Sequence, residues 1–136
     1  MQHLQRLSGL DASFLYLETS TQPLHVCSVL ELDASTIPGG YSFARLRDEL
    51  ALRITAIPTF REKLSNTFLN LDHPVWVEDE EFDIDRHLHR IGLPSPGGRR
   101  ELAEICGHIA SLPLDRSRPL WQFYVITGLA NGQGVL

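Results

Sequence analysis

From Pro113 to Gly134 the chain passes through a helix stop, a loop, an aromatic strand and a hairpin turn, and that order limits its architecture. Leu102, Ile105, Cys106, Ile109 and Leu112 repeat at helical spacing, and Pro113 cannot continue such a helix. Glu101 and Glu104 sit in its first turns, where the helix dipole favours carboxylates. After the loop, Trp121, Phe123 and Val125 alternate with Gln122, Tyr124 and Ile126, as a strand does. Asn131-Gly132 then suits a tight hairpin turn. A helix feeding a strand and a hairpin predicts layered α/β or α+β architecture.

Upstream segments agree with layers. Phe43, Leu46, Leu50, Ile54 and Ile57 form a helical stripe, which Pro58 ends. Arg45–Glu49 and Glu49–Arg53 are i,i+4 pairs, each worth a few tenths of a kcal/mol. Leu7, Leu10, Phe14 and Leu17 make an earlier stripe, with Ser8 and Asp11 as a capping-box-like start. Asp11 and Ser13 read as helix-start chemistry. Leu24 to Leu32 reads as a strand apolar on both faces, hence central in its sheet. Val75-Trp76-Val77 is a short strand, and Ile84 to Ile91 is extended with Ile84, Leu88 and Ile91 inward. Phe60 to Asn70 fits neither period. Pro38-Gly39-Gly40 and Pro94-Ser95-Pro96-Gly97-Gly98 are breaks.

Composition removes several classes. Hydrophobic content of 43% supports a packed core rather than disorder. A net charge of −5 and a pI near 5.6 lack the basic footprint of nucleic-acid binding. No stretch approaches the ~18 apolar residues of a membrane span, and the first residues lack an apolar signal core. Any membrane contact is therefore peripheral. Cys27 and Cys106 lie far apart, in no metal spacing, and read as two buried reduced thiols.

The constellations that could carry chemistry are weak. His87 and His89 could share a cation on one strand face, with His73 or Asp85 as a third ligand. Arg86 and Arg90 would repel it, so the pair reads as a solvated polar face and no metal site is expected. The run Glu78-Asp79-Glu80-Glu81, with Asp83 and Asp85, reads as a solvated acidic loop. Ser8, Ser13, Ser28 and Ser111 lie in no nucleophile elbow. His108 reads as packed or partly exposed. There is no glycine-rich phosphate loop.

Three separate pieces resemble the bacterial wax ester synthase/diacylglycerol acyltransferase family. Leu7-Ser8-Gly9-Leu10-Asp11-Ala12-Ser13-Phe14 is similar to that family's opening segment. Phe60-Arg61-Glu62-Lys63-Leu64, Pro74-Val75-Trp76-Val77 and Phe82-Asp83-Ile84 follow in its order. Pro113-Leu114-Asp115-Arg116 through Pro119-Leu120-Trp121 resembles its Pro-Leu-Trp motif. Together they span nearly the whole chain.

The resemblance implies a chloramphenicol-acetyltransferase-like, CoA-dependent acyltransferase fold, a mixed sheet covered by helices. Residues 1–136 would be an incomplete N-terminal domain of a two-domain enzyme. The implied reaction moves a fatty acyl group from acyl-CoA, as co-substrate and with no other cofactor, to diacylglycerol or a long-chain alcohol. The family's His-His-x-x-x-Asp-Gly motif is expected within a few residues of Leu136, and none of His3, His25, His73, His87, His89 and His108 sits in that pattern. No catalytic residue carries over, and the chain alone is expected to be inactive. Pro119, Leu120 and Trp121 would support the active-site strand, with Trp121 as a buried anchor. Arg116 and Arg118 would cap the preceding helix or pair with Asp115.

The resemblance further implies a cytoplasmic protein, peripheral to membranes or lipid inclusions. A C-terminal half or self-association would cover core surface that a partial domain exposes. Two alternatives stay open: a non-catalytic lipid-binding or interaction fragment of the same ancestry, and a related CoA acyltransferase or peptide-synthetase condensation domain.

Overall fold

The computed structural model describes residues 5–65 and 73–136. Residues 66–70 of the segment that fits neither period, and His3, lie outside them. Three α-helices and two sheets are present among the described residues. α1 spans Gly9–Leu17, α2 Phe43–Thr55 and α3 Arg99–Ser111. Each begins where local chemistry satisfies a free amide. Ser8 Oγ accepts from the Asp11 amide at 3.1 Å, and Ser42 Oγ from the Arg45 amide at 3.2 Å. At α3 the Glu101 carboxylate reaches back to the Gly98 amide at 2.9 Å.

The larger sheet contains β1 (Glu31–Leu32), β4 (Leu88–Gly92), β5 (Phe123–Thr127) and β6 (Gly134–Val135), in the order β1-β6-β5-β4. It is mixed: β4 and β5 run parallel, joined through α3, and β6 is antiparallel to both β5 and β1. The β5–β6 connection runs over residues 128–133, longer than the tight turn expected of Asn131-Gly132; Gly132 sits at φ 76°, and Asn131 Oδ1 accepts from the Gln133 amide. β2 (Glu62–Ser65) and β3 (Val75–Glu78) form a separate antiparallel pair. A 3₁₀ turn at Pro58–Arg61 leads into β2, which resolves the described part of the ambiguous segment as turn and strand.

α2 packs on one face of the larger sheet. Ile54, Ile84, Leu88 and Val125 are its buried centre, with Phe43, Leu46, Leu50, Phe60, Phe82 and Trp121 around them. Successive residues of β5 point to opposite faces, so Val125 is buried on the α2 side while Ile126 is buried towards a groove beside α3. The expected α/β layering, a mixed sheet with helices against it, is thus observed.

Several expectations fail for tertiary reasons, and Ile84–Arg86 is a 3₁₀ turn rather than extended chain. Residues 24–32 are not a central strand. Only Glu31–Leu32 pair, at the sheet edge, while Val26 is 96% exposed. Both apolar faces were legible, but strand position depends on partners elsewhere in the chain. The α1 stripe faces the core only at its start: Leu7 is buried, but Leu10, Phe14 and Leu17 are exposed, with Ala12 buried instead. Arg45 does not pair with Glu49; its guanidinium donates to the Pro38 carbonyl at 2.9 Å, which closes the preceding loop. Finally, the acidic run is not wholly solvated. Asp79 is buried, 3.5 Å from the Lys63 ammonium, and it accepts from the Glu81 amide.

Candidate functional site

The Pro-Leu-Trp segment enters β5 as an aromatic hub. Pro119 is buried, and its carbonyl accepts from the Trp121 amide at 3.0 Å. The Trp121 indole N–H donates to the Phe60 carbonyl at 2.8 Å. Its ring meets Phe60 edge-on at 5.7 Å and lies 5.2 Å from Phe123. Trp121 is half-buried rather than fully buried, and these contacts link the start of β5 to the turn before β2.

The other partner of Trp121 overturns the reading of His87 as part of a solvated face. His87 is 1% exposed. Its ring packs against Trp121, at 4.5 Å, and Phe82, at 5.5 Å, the three rings forming a cluster. Its Nδ1–H donates to the Trp121 carbonyl at 2.8 Å, since a carbonyl can only accept. Its own carbonyl accepts from the Phe123 amide at 2.7 Å. His87 thus fastens the start of β4 to the start of β5. His89 is half-buried, hydrogen-bonded to Gln122 Oε1, with its ring tilted against Tyr124 at 4.8 Å. Both imidazoles are engaged by residues 121–124, and no cluster of three metal-ligating side chains occurs among the described residues.

Arg116 departs from the expected capping of the preceding helix. Its guanidinium donates to the Leu15 carbonyl at 2.8 Å and to Glu18 Oε1 at 3.0 Å, so it caps the far end of α1. Arg118 does pair with Asp115, at 3.8 Å. Glu18 is 13% exposed. The Leu24 amide, donated at 2.9 Å, holds its carboxyl below the usual range, and Arg116 adds to the effect. The Ser117 hydroxyl and amide do the same for Asp115.

Beside this hub lies a groove of about 310 Å³, at the low end of the ~300–1,000 Å³ common for ligand pockets. One wall is the extended segment 25–30, another is α3 through Cys106 and Ile109, and the floor is β5 with Trp121, Tyr124 and Ile126. Leu120 and Leu136 also line it. The lining is mostly apolar. Its polar exceptions include His25, whose Nδ1 is buried without a partner among the described residues.

Both cysteines line this groove, and neither is bonded. Cys27 is exposed, which corrects the expectation of two buried thiols. Burial pushes the Cys106 thiol up, and the neighbouring Cys27 adds to the shift. His108, by contrast, is exposed outside the groove. The sequence reading missed the groove and the burial of His87. Arginines flank the histidines and hide the burial, while the groove joins segments about 80 residues apart.

Comparison with known proteins agrees with the geometry. The profile of the wax ester synthase/diacylglycerol acyltransferase catalytic domain matches residues 7–134. A Mycobacterium tuberculosis protein named as a diacylglycerol O-acyltransferase is 61% identical over 132 residues, covering 97% of this chain and 26% of its own length. Another from that organism, similarly named, is 42% identical over 133 residues, 98% of this chain and 28% of its own. The solved structure of the wax ester synthase/diacylglycerol acyltransferase from Marinobacter aquaeolei has a TM-score of 0.75 at 35% identity, covering 96% of this chain and 32% of the other. The chain spans roughly a quarter to a third of the length of these relatives.

Proposed function

The chain belongs to the wax ester synthase/diacylglycerol acyltransferase family, and from that premise we propose that it forms the opening part of a neutral-lipid O-acyltransferase. The reaction proposed transfers a fatty acyl group from acyl-CoA to the hydroxyl of diacylglycerol or a long-chain alcohol, releasing free CoA. No cofactor beyond the acyl-CoA co-substrate is invoked. The fold of this portion is that of the family, a mixed sheet with helices against it.

The observation that supports this reading best is the apolar groove beside Trp121. Each methylene buried there contributes about 0.8 kcal/mol, so such walls favour an alkyl chain over a polar metabolite. They also exclude water, which would otherwise compete with the acceptor alcohol for the thioester. Pro119, Leu120 and Trp121 are assigned a positioning role: Leu120 and Trp121 line the groove while the hub fixes the start of β5.

The general base is placed outside this chain. The family's His-His-x-x-x-Asp-Gly motif does not occur in the sequence, and no two of its histidines are adjacent. An imidazole there would take the acceptor's proton near working pH. The 136-residue chain is therefore proposed to bind acyl chains without turning over, and to need a C-terminal portion for activity. Its location is proposed as cytoplasmic, touching membranes or lipid inclusions peripherally. Among the described residues no helix is long and apolar enough to cross a membrane. The exposed Leu10, Phe14 and Leu17 of α1 offer an apolar face for such contact or for self-association.

The test has two arms. Fluorescence of parinaric acid titrated with the purified chain should show saturable binding that Ile126→Asp abolishes. An assay with palmitoyl-CoA and diacylglycerol should show no triacylglycerol from the chain alone. A folded chain that binds no fatty acid would sink the groove assignment. Turnover by the chain alone would sink the placement of the base.

A further inference from the structure

Two thiols that the proposed reaction does not use look onto the groove from different walls. Cys27 is exposed on the extended segment, and Cys106 is half-buried on α3. We propose that Cys27 and Cys106 are a redox pair, closed to an intramolecular disulfide by hydrogen peroxide, and that the bridge staples the extended segment to α3 across the groove. The bridge stands on the placement of the two thiols. Its effect on ligand rests on the acyl-chain reading given above.

The chemistry divides between the two sulfurs according to their surroundings. The Cys27 thiolate attacks one peroxide oxygen; the O–O bond breaks, hydroxide leaves, and Cys27 becomes a sulfenic acid. The Cys106 thiolate then attacks that sulfur, the S–S bond forms and a second hydroxide leaves. Two protons from the thiols convert the hydroxides to water, so two thiols lose two electrons and the peroxide gains them. Exposure makes Cys27 the first to meet an oxidant. Cys106 is half-buried and meets an oxidant second, so it is assigned the resolving step, losing its proton as it attacks the Cys27 sulfur.

The backbone leaves one of the two partners free to move. A disulfide needs its Cα atoms within about 7 Å. α3 is a regular helix and holds Cys106 in place. The other partner is adjustable. The segment is fixed at one end where the Leu24 amide donates to Glu18, and at the other where Leu30 and Leu136 exchange backbone hydrogen bonds at 2.7 Å. Between those points no backbone hydrogen bond to a described residue holds residues 25–29. A shift of Cys27 towards α3 therefore breaks no ladder.

Hydrogen peroxide added to the reduced chain tests the proposal. The expected product is a monomer lighter by about 2 Da, with one Cys27–Cys106 cross-linked peptide, reversed by dithiothreitol. Cys106→Ser should halt at a Cys27 sulfenic acid trapped by dimedone, and Cys27→Ser, at an exposed position that the fold tolerates, should prevent the mass loss. Parinaric acid affinity should fall about tenfold or more on oxidation and return on reduction. Over-oxidation of Cys27 with Cys106 untouched, or bridging only between molecules, would overturn the pair. A bridge that leaves probe affinity unchanged would overturn the stapling of the groove. If the reduced chain binds no probe, the acyl-chain reading fails, while the mass change still decides the thiol pair.

Discussion

Removing the Trp121 indole in two steps separates its hydrogen bond from its packing. Trp121→Phe deletes the N–H that satisfies the Phe60 carbonyl and keeps an aromatic ring against His87. Stranding a buried acceptor costs about 1–3 kcal/mol, and because Trp121 and Phe60 are half-buried water recovers part of that, so about 1 kcal/mol is expected. Trp121→Ala also removes contacts with His87, Phe60, Phe82 and Phe123. Large aromatic truncations cost about 3–5 kcal/mol in full burial, and the lower end, about 3 kcal/mol, applies here. For a domain of this size each kcal/mol moves Tm by about 4 °C, which gives losses of about 4 °C and about 12 °C. Thermal unfolding followed by far-ultraviolet circular dichroism measures both. Equal losses for the two variants would refute the claim that ring packing, rather than the single hydrogen bond, holds the Pro-Leu-Trp loop. No loss in either would refute the hub altogether.

Further expectations concern other contacts. Nitrogen-resolved NMR of the histidine rings should find the proton of His87 on Nδ1, and a neutral ring protonated on Nε2 would contradict its bond to the Trp121 carbonyl. The depressed Glu18 carboxyl stabilises the fold above its unfolded pKa, and that contribution is lost as pH falls through its lower folded value. Glu18→Gln should therefore destabilise at neutral pH and converge with the parent at acid pH; a constant difference in melting temperature across the range would refute the tether to Leu24 and Arg116. Gly97 sits at φ 70° with the Gly128 carbonyl oxygen 2.0 Å from where a Cβ would lie. Gly97→Ala should cost at least about 1–2 kcal/mol in chemical denaturation. Gly107→Ala, in a helix with open space around it, should stabilise by about 0.5–1 kcal/mol.

What was legible in the sequence was what short-range chemistry decides. Ser42 and the stripe from Phe43 to Ile54 specify α2 locally, and Pro113 bounds α3. The alternation after Trp121 gave β5 at nearly its observed limits, while Asn131-Gly132 marked the hairpin but not the length of its connection. Residues 24–30 show why the rest was hidden. Their pattern admits a strand, but a ladder needs a facing partner, and only Leu30 to Leu32 meet one. His87 shows the same from the side of polarity. Between Arg86 and Leu88 nothing marks it for burial, because the carbonyl that satisfies it belongs to Trp121, far along the chain. The Pro119-Leu120-Trp121 motif was legible, but the groove that Leu120 and Trp121 line was not, since it exists only where three distant segments meet.

The pairing of Leu30 with Leu136 also sets a timetable for biosynthesis. The partner of β1 is made about a hundred residues after it. At 5–20 residues per second a ribosome needs roughly 5–20 s to reach that partner. Throughout that interval Val26, Val29, Leu30 and Leu32 emerge as an extended apolar stretch with no strand to receive it. Nascent chains should therefore be retained by holdase chaperones until the β5–β6 hairpin clears the exit tunnel, and slowing elongation late in the message should prolong that retention.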